Sequence, residues 1–110
     1  MSCDITEDDG TLLVRLHGDI DLEHADGVRD RLLDCVARGK DIRVDLSQVD
    51  YIDSSGIATL VEALQLAKDN GTALVLAAVS TQAQRVLKLA RLDKVFTILE
   101  TPAASPAGGG

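Results

Sequence analysis

The chain has 110 residues, 45% apolar and 2% aromatic, and carries a formal charge of −7 from 18 acidic and 11 basic side chains. That length suits one domain around one core of Leu, Val, Ile and Ala, with too much apolar content for a disordered chain. A surface this acidic repels phosphate backbones, and with almost no aromatic platforms it argues against direct nucleic-acid binding.

The first nine residues, Met-Ser-Cys-Asp-Ile-Thr-Glu-Asp-Asp, hold neither a basic region nor an apolar run. No stretch approaches the roughly 18 apolar residues needed to cross a bilayer, so a cytoplasmic protein without membrane insertion is expected. Cys3 and Cys35 lack the spacing of metal ligands and are expected to be buried or half-buried thiols. No metal or cofactor motif is evident.

Thr11 to His17 alternates, with Leu12, Val14 and Leu16 on one face, and predicts a half-buried strand. A short strand around Cys3 to Thr6 should pair with it through Asp8-Asp9-Gly10. Gly18-Asp19-Ile20-Asp21 leads into a predicted helix from Leu22 to Arg38, with Ala25, Val28, Leu32 and Val36 inward and Gly39 as the stop. Asp41 to Leu46 alternates again, followed by a polar link from Ser47 to Asp50 and then Ile52. A second helix, Gly56 to Lys68, carries the stripe Ile57, Leu60, Val61 and Leu64, and Asn70-Gly71 ends it. Lys68 falls near that stripe and should snorkel past the helix end. Ala73 to Ala78 is apolar throughout, as a covered strand would be. Ser80 or Thr81 caps a third helix, Thr81 and Gln84 having capping-box spacing, with Ala83, Val86, Leu87 and Ala90 inward. Val95 to Leu99 can form a last strand. Residues 101–110 contain both prolines and three terminal glycines and read as a flexible tail. The order predicts an α/β domain over residues 1–100, with a mixed, mostly parallel sheet and right-handed crossovers.

The most informative tetrapeptide is Asp53-Ser54-Ser55-Gly56, where strand gives way to helix. Two hydroxyls and a carboxylate there stand over the first free amides of a helix, a place suited to hold or receive an anion. A phosphate on Ser54 would add about −1.5 to −2 charges beside Asp53. The amides of Ser55, Gly56 and Ile57 could offset that charge locally, and Gly56 would leave room for a partner's backbone. On the helix wheel Thr59, Glu62 and Leu66 point away from the apolar stripe. Ala58, Thr59, Glu62 and Leu66 therefore form the expected partner-contact face. Asp19 and Asp21 fit turn and cap duties better than cation binding. His17 and His24 fit surface or packing roles.

The run Val44-Asp45-Leu46-Ser47-Gln48-Val49-Asp50-Tyr51-Ile52-Asp53-Ser54-Ser55-Gly56-Ile57 resembles the signature of STAS domains, found in sulfate transporters and anti-sigma factor antagonists. Gly18-Asp19-Ile20-Asp21 is similar to the element preceding that family's first helix, and Val79 to Phe96 to its third helix and following strand. The Asp-Ser-Ser-Gly version resembles the bacterial anti-anti-sigma branch. The resemblance implies a STAS-like fold and a non-enzymatic protein acting by partner switching. Ser54 would be the phosphoacceptor, with Asp53, Ser55 and Gly56 its neighbours. An anti-sigma factor with serine kinase activity would be the partner, and a phosphatase would reset the switch. Asp19 and Asp21 would lie near the kinase contact. Family members usually end in a further helix, which here would be short or missing, leaving a monomer or weak dimer open.

Other functions fit less well. A Ser54 nucleophile would lack the Gly-x-Ser-x-Gly elbow, and no glycine-rich phosphate loop with Lys is present. A receiver domain phosphorylated on Asp53 would need an acidic pair and a Lys that are not convincingly placed. The competing reading within the resembled family is a cytoplasmic subunit docked on the ATPase of an ABC-type lipid transporter.

Overall fold

The computed structural model describes residues 2–92, 94–96, 98 and 99. Among these residues five strands and three helices follow the order that the apolar periodicity implies: β1 (Ser2–Asp8), β2 (Thr11–Ile20), α1 (Leu22–Ala37), β3 (Asp41–Ile52), α2 (Ser54–Asp69), β4 (Leu74–Ala77), α3 (Thr81–Leu89) and β5 (Ile98–Leu99). The sheet order is β1-β2-β3-β4-β5. β1 and β2 pair antiparallel, from Asp8 opposite Thr11 to Ser2 opposite His17. Their turn has positive φ at both Asp9 and Gly10, the handedness that matches the twist of a tight hairpin. All later neighbours are parallel, because each is joined by a helical crossover.

Two strands run further than their alternation predicts. β2 continues past His17 to Ile20, and β3 passes through the polar link to Ile52. Register shifts fall between Arg15 and His17 and between Gly18 and Asp19, each leaving an extra residue on β3. Such bulges break the two-residue period while keeping the strand paired. At the first one, the Ser47 amide donates to Asp45 Oδ1 at 2.8 Å. Asp45 is 2% exposed and lies 3.6 Å from Arg15 Nε, so its buried carboxylate is satisfied. The bulges carry Ile20 and Ile52 to the sheet's end as register partners.

Leu12, Val14, Leu16, Ile42, Val44, Leu46 and Leu76 line the core, met by Val28 and Leu32 of α1, Leu60 and Ala63 of α2 and Leu87 of α3. α1 and α2 pack side by side, and α3 packs against β3. The inward face expected for α1 is buried throughout. On α2, Ile57, Leu60 and Leu64 are buried, Val61 is only half-buried, and Gly56, Thr59, Ala63 and Ala67 complete a wider buried arc. Ser80, not Thr81, caps α3, accepting from the Ala83 amide at 3.3 Å. Ala90 is the exposed C-cap and not an inward residue. Lys68, in the last turn of α2, is exposed. Val95 and Phe96 precede β5, and Phe96 is buried. Cys35 is buried and Cys3 half-buried. Loss of water around them pushes both thiols up, away from the reactive thiolate. The expected tail, and the question of a final helix, lie outside the described residues.

Gly56 is buried where α2 meets the ends of β2 and β3. A Cβ there would stand 2.6 Å from the Ile20 carbonyl oxygen, 2.7 Å from Ile52 Cγ1 and 2.8 Å from Ile20 Cγ2. The close approach served by this glycine is therefore internal, and the expectation that it admits a partner's backbone is corrected. Gly56→Ala should cost at least about 1–3 kcal/mol through overpacking, read as a lower urea midpoint with unchanged m-value. An unchanged midpoint would show that the helix start can shift freely.

Candidate functional site: the mouth of the second helix

The end of β3 delivers Asp53 beside the end of β2, where the Asp53 amide donates to the Ile20 carbonyl at 3.3 Å. Asp53 then turns extended and becomes the N-cap of α2. Its Oδ1 accepts from the amides of Ser55 at 2.9 Å and Gly56 at 3.2 Å, and its carbonyl accepts from Ile57 at 3.0 Å. The second carboxylate oxygen, Oδ2, accepts from the amide of Leu22 at 3.2 Å. One side chain thus caps α2 and ties it to the first residue of α1.

Asp21 performs the same duty for α1. Its Oδ1 accepts from the His24 amide at 3.1 Å and meets His24 Nδ1 at 2.7 Å. Partial removal from water pushes the Asp21 carboxyl up, but His24's side-chain and backbone hydrogen bonds and its charge together hold it below the ordinary carboxylate range. The capping duty expected of Asp21 is the observed one. Asp19 is exposed at the end of β2. Asp21, Glu23 and His24 bring ligand-type atoms within 4.8 Å of one another, but Asp21 already accepts from His24. His17 Nε2 of β2 lies 3.0 Å from Asp4 Oδ2 of β1.

Ser54 is the first residue of α2 and is exposed, whereas Ser55 is half-buried. The amides of Ser55, Gly56 and Ile57 were expected to receive an anion on Ser54, yet all three already donate to Asp53. The aspartate occupies the place that an incoming phosphate would need. A charge added to Ser54 would meet a neighbouring carboxylate, with the amides of Ser55, Gly56 and Ile57 already taken.

Along α2, Ala58 is exposed, and Leu66 is 37% exposed. Glu62 is partly exposed and held by Arg29 of α1, with Nε to Oε1 at 2.9 Å and Nη2 to Oε2 at 2.7 Å. This bidentate bond, opposed by lost hydration and helped by the cation's charge, lowers the Glu62 carboxyl and raises Arg29. Thr59 departs from expectation. It is 5% exposed, and its hydroxyl donates to the Ser55 carbonyl at 3.1 Å. α1 covers that flank of α2, so Thr59 is a packing residue and leaves the contact face.

Two apolar side chains beside the site escaped the sequence reading. Leu22 is 76% exposed and Tyr51 52% exposed. The signal for Tyr51 was its place between Asp50 and buried Ile52. For Leu22 it was a helix start ahead of the inward residues Ala25 and Val28. Asp53→Ala should cost about 1–2 kcal/mol, the usual loss of an N-cap, and also raise hydrogen exchange at the Leu22 amide. Normal protection there would contradict the two-helix role.

The STAS domain model matches residues 2–104. The anti-sigma-B factor antagonist of Bacillus subtilis is 27% identical over 108 residues, spanning 98% of this chain and 96% of that protein. The same fold occurs in a Thermotoga maritima crystal structure, with TM-score 0.83, 24% identity and coverage of 90% of this chain and 86% of the other. It also occurs in a Bacillus cell-fate determinant solved in its phosphorylated form, with TM-score 0.69, 16% identity and coverage of 88% and 90%. Among the described residues no helix is long and apolar enough to cross a membrane. With the family model spanning nearly its whole length, the chain belongs to the STAS domain family.

Proposed function

We propose that this protein is an anti-sigma factor antagonist that docks on an anti-sigma factor with serine kinase activity and is switched off by phosphorylation of Ser54. A phosphatase resets it, and the protein acts by binding and not by catalysis. The observation that carries this reading is the exposed Ser54 hydroxyl beside a carboxylate that already occupies the helix amides. The likeness to the Bacillus subtilis antagonist over almost the full chain supports it.

A dianion placed here stays largely uncompensated by its own protein. Against a partner surface it would remain desolvated and repelled, and a thousandfold loss of affinity needs only about 4 kcal/mol. No refolding is required. The docking face comprises Ser54, Ala58 and Leu66 of α2 with the neighbouring Asp19, Asp21, Leu22 and Tyr51. Exposed Leu22 and Tyr51 suit a partner with an apolar pocket, into which a neighbouring dianion could not be carried without loss of its hydration. Glu62 contributes through its ion pair with Arg29, which keeps α1 and α2 side by side.

Incubation with the cognate anti-sigma kinase and ATP should place one phosphate on Ser54 and none on Ser54→Ala. Ser54→Ala should bind the unliganded kinase about as well as wild type, whereas Ser54→Asp should bind at least about tenfold more weakly. Equal binding by the alanine and aspartate variants, or phosphate transfer to another residue, would overturn the reading.

A further inference from the structure

Charge is unevenly distributed along the chain. All but two of the 18 acidic residues lie before position 70, while four of the 11 basic residues fall between positions 85 and 94. Arg85, Lys88, Arg91 and Lys94 are exposed. Among the described residues none of the four takes part in an ion pair; of the other seven basic side chains Arg15, Arg29, Arg38 and Lys40 do, and Arg31, Arg43 and Lys68 do not. In their midst Leu89 is 85% exposed, the most open large apolar side chain of the described residues. Ala83 and Leu87 anchor α3 to the core, so Arg85, Lys88 and Leu89 form its outward stripe.

α1 bears the complementary stripe. Leu22, Asp26 and Asp30 are exposed, and at ~3.6 residues per turn they fall within an arc of about 80°. Exposed Glu23 adjoins them. Arg29, on the neighbouring flank, is neutralised by Glu62, and Asp34 by Arg38. One stripe offers leucine among cations, the other leucine among carboxylates, each within about two to three helical turns.

We propose that this chain self-associates, the Arg85-Lys88-Leu89 stripe of α3 docking on the Leu22-Asp26-Asp30 stripe of α1 in a second copy. Reciprocal use of both stripes closes the contact as a two-fold pair. Each stripe is only a few side chains long and falls short of the roughly 1,200 Å² of a stable interface, so the pair is weak and concentration-dependent. Opposite charges set its orientation, and the leucines supply the dry contact. Because Leu22 also belongs to the docking face proposed above, a paired molecule is withdrawn from the anti-sigma partner. That consequence rests on the Ser54 reading, whereas the pairing itself does not.

Sedimentation of the full chain alone, with no kinase or partner, tests it. At low salt the apparent mass should rise with concentration toward twice that of one chain. It should fall back in salt that shortens screening to about 3 Å, and in Leu89→Ala. Arg85→Glu with Lys88→Glu should remain single, as should Asp26→Lys with Asp30→Lys, both with wild-type circular dichroism. Mixing those two double variants should restore the pair. A single-chain mass at every concentration, or no restoration on mixing, would overturn the inference. So would pelleting of single chains with vesicles of phosphatidylglycerol and phosphatidylcholine, which would assign α3 to a lipid surface. Failure here leaves the phosphate transfer to Ser54 untouched, so the two readings fail separately.

Discussion

The carboxylate of Asp53 holds together the end of the molecule on which everything else depends. It accepts from Ser55 and Gly56 at the start of α2 and from Leu22 at the start of α1. Free amides at helix starts must find acceptors, and one short side chain supplies three contacts at the junction of two helices and two strands. Gly56 permits the arrangement, since any side chain there would collide with Ile20 and Ile52. The junction is thus tightly packed beneath and capped above. Ser54, between the capping residue and the packed glycine, is carried to the surface.

Under the proposed function, this arrangement would separate the fold from the signal. A hydroxyl that capped the helix could not be modified without loosening it. Here the cap is the aspartate, and the serine hydroxyl is left to solvent. The same arrangement removes the helix amides from competition, so an added phosphate changes the surface charge more than it changes internal bonding. The Arg29–Glu62 pair holds the two helices at their exposed margin. A partner reading this end meets a preformed surface of carboxylates, Leu22 and Tyr51.

Much of this was legible in the residues, and the failures have physical causes. Helix faces with clear 3.6-residue spacing, as in α1, were read correctly because one packing partner defines one stripe. Thr59 was misjudged because α2 has two partners, the sheet and α1, and a wheel drawn for one stripe misses the second. The strand ends were cut short because bulges interrupt alternation at Leu46-Ser47 and at Asp50 without ending the pairing. Gly56 looked permissive in sequence, yet its closest neighbours come from Ile20, far away along the chain. That Asp53 would reach Leu22 was equally hidden, since a cap signature reports only its own helix. Exposure of Leu89 could not be told from apolar content, because patterning marks where a core can form and says little about single open side chains.

The central claim is that a phosphate on Ser54 alters the docking surface while Asp53 keeps its hold on both helices. Amide hydrogen exchange of the phosphorylated and unmodified protein tests it most directly. Protection at Ser55, Gly56 and Leu22 should be the same in both forms. Loss of protection at Leu22, with retention at Ser55 and Gly56, would show the phosphate displacing Asp53 and would contradict the account.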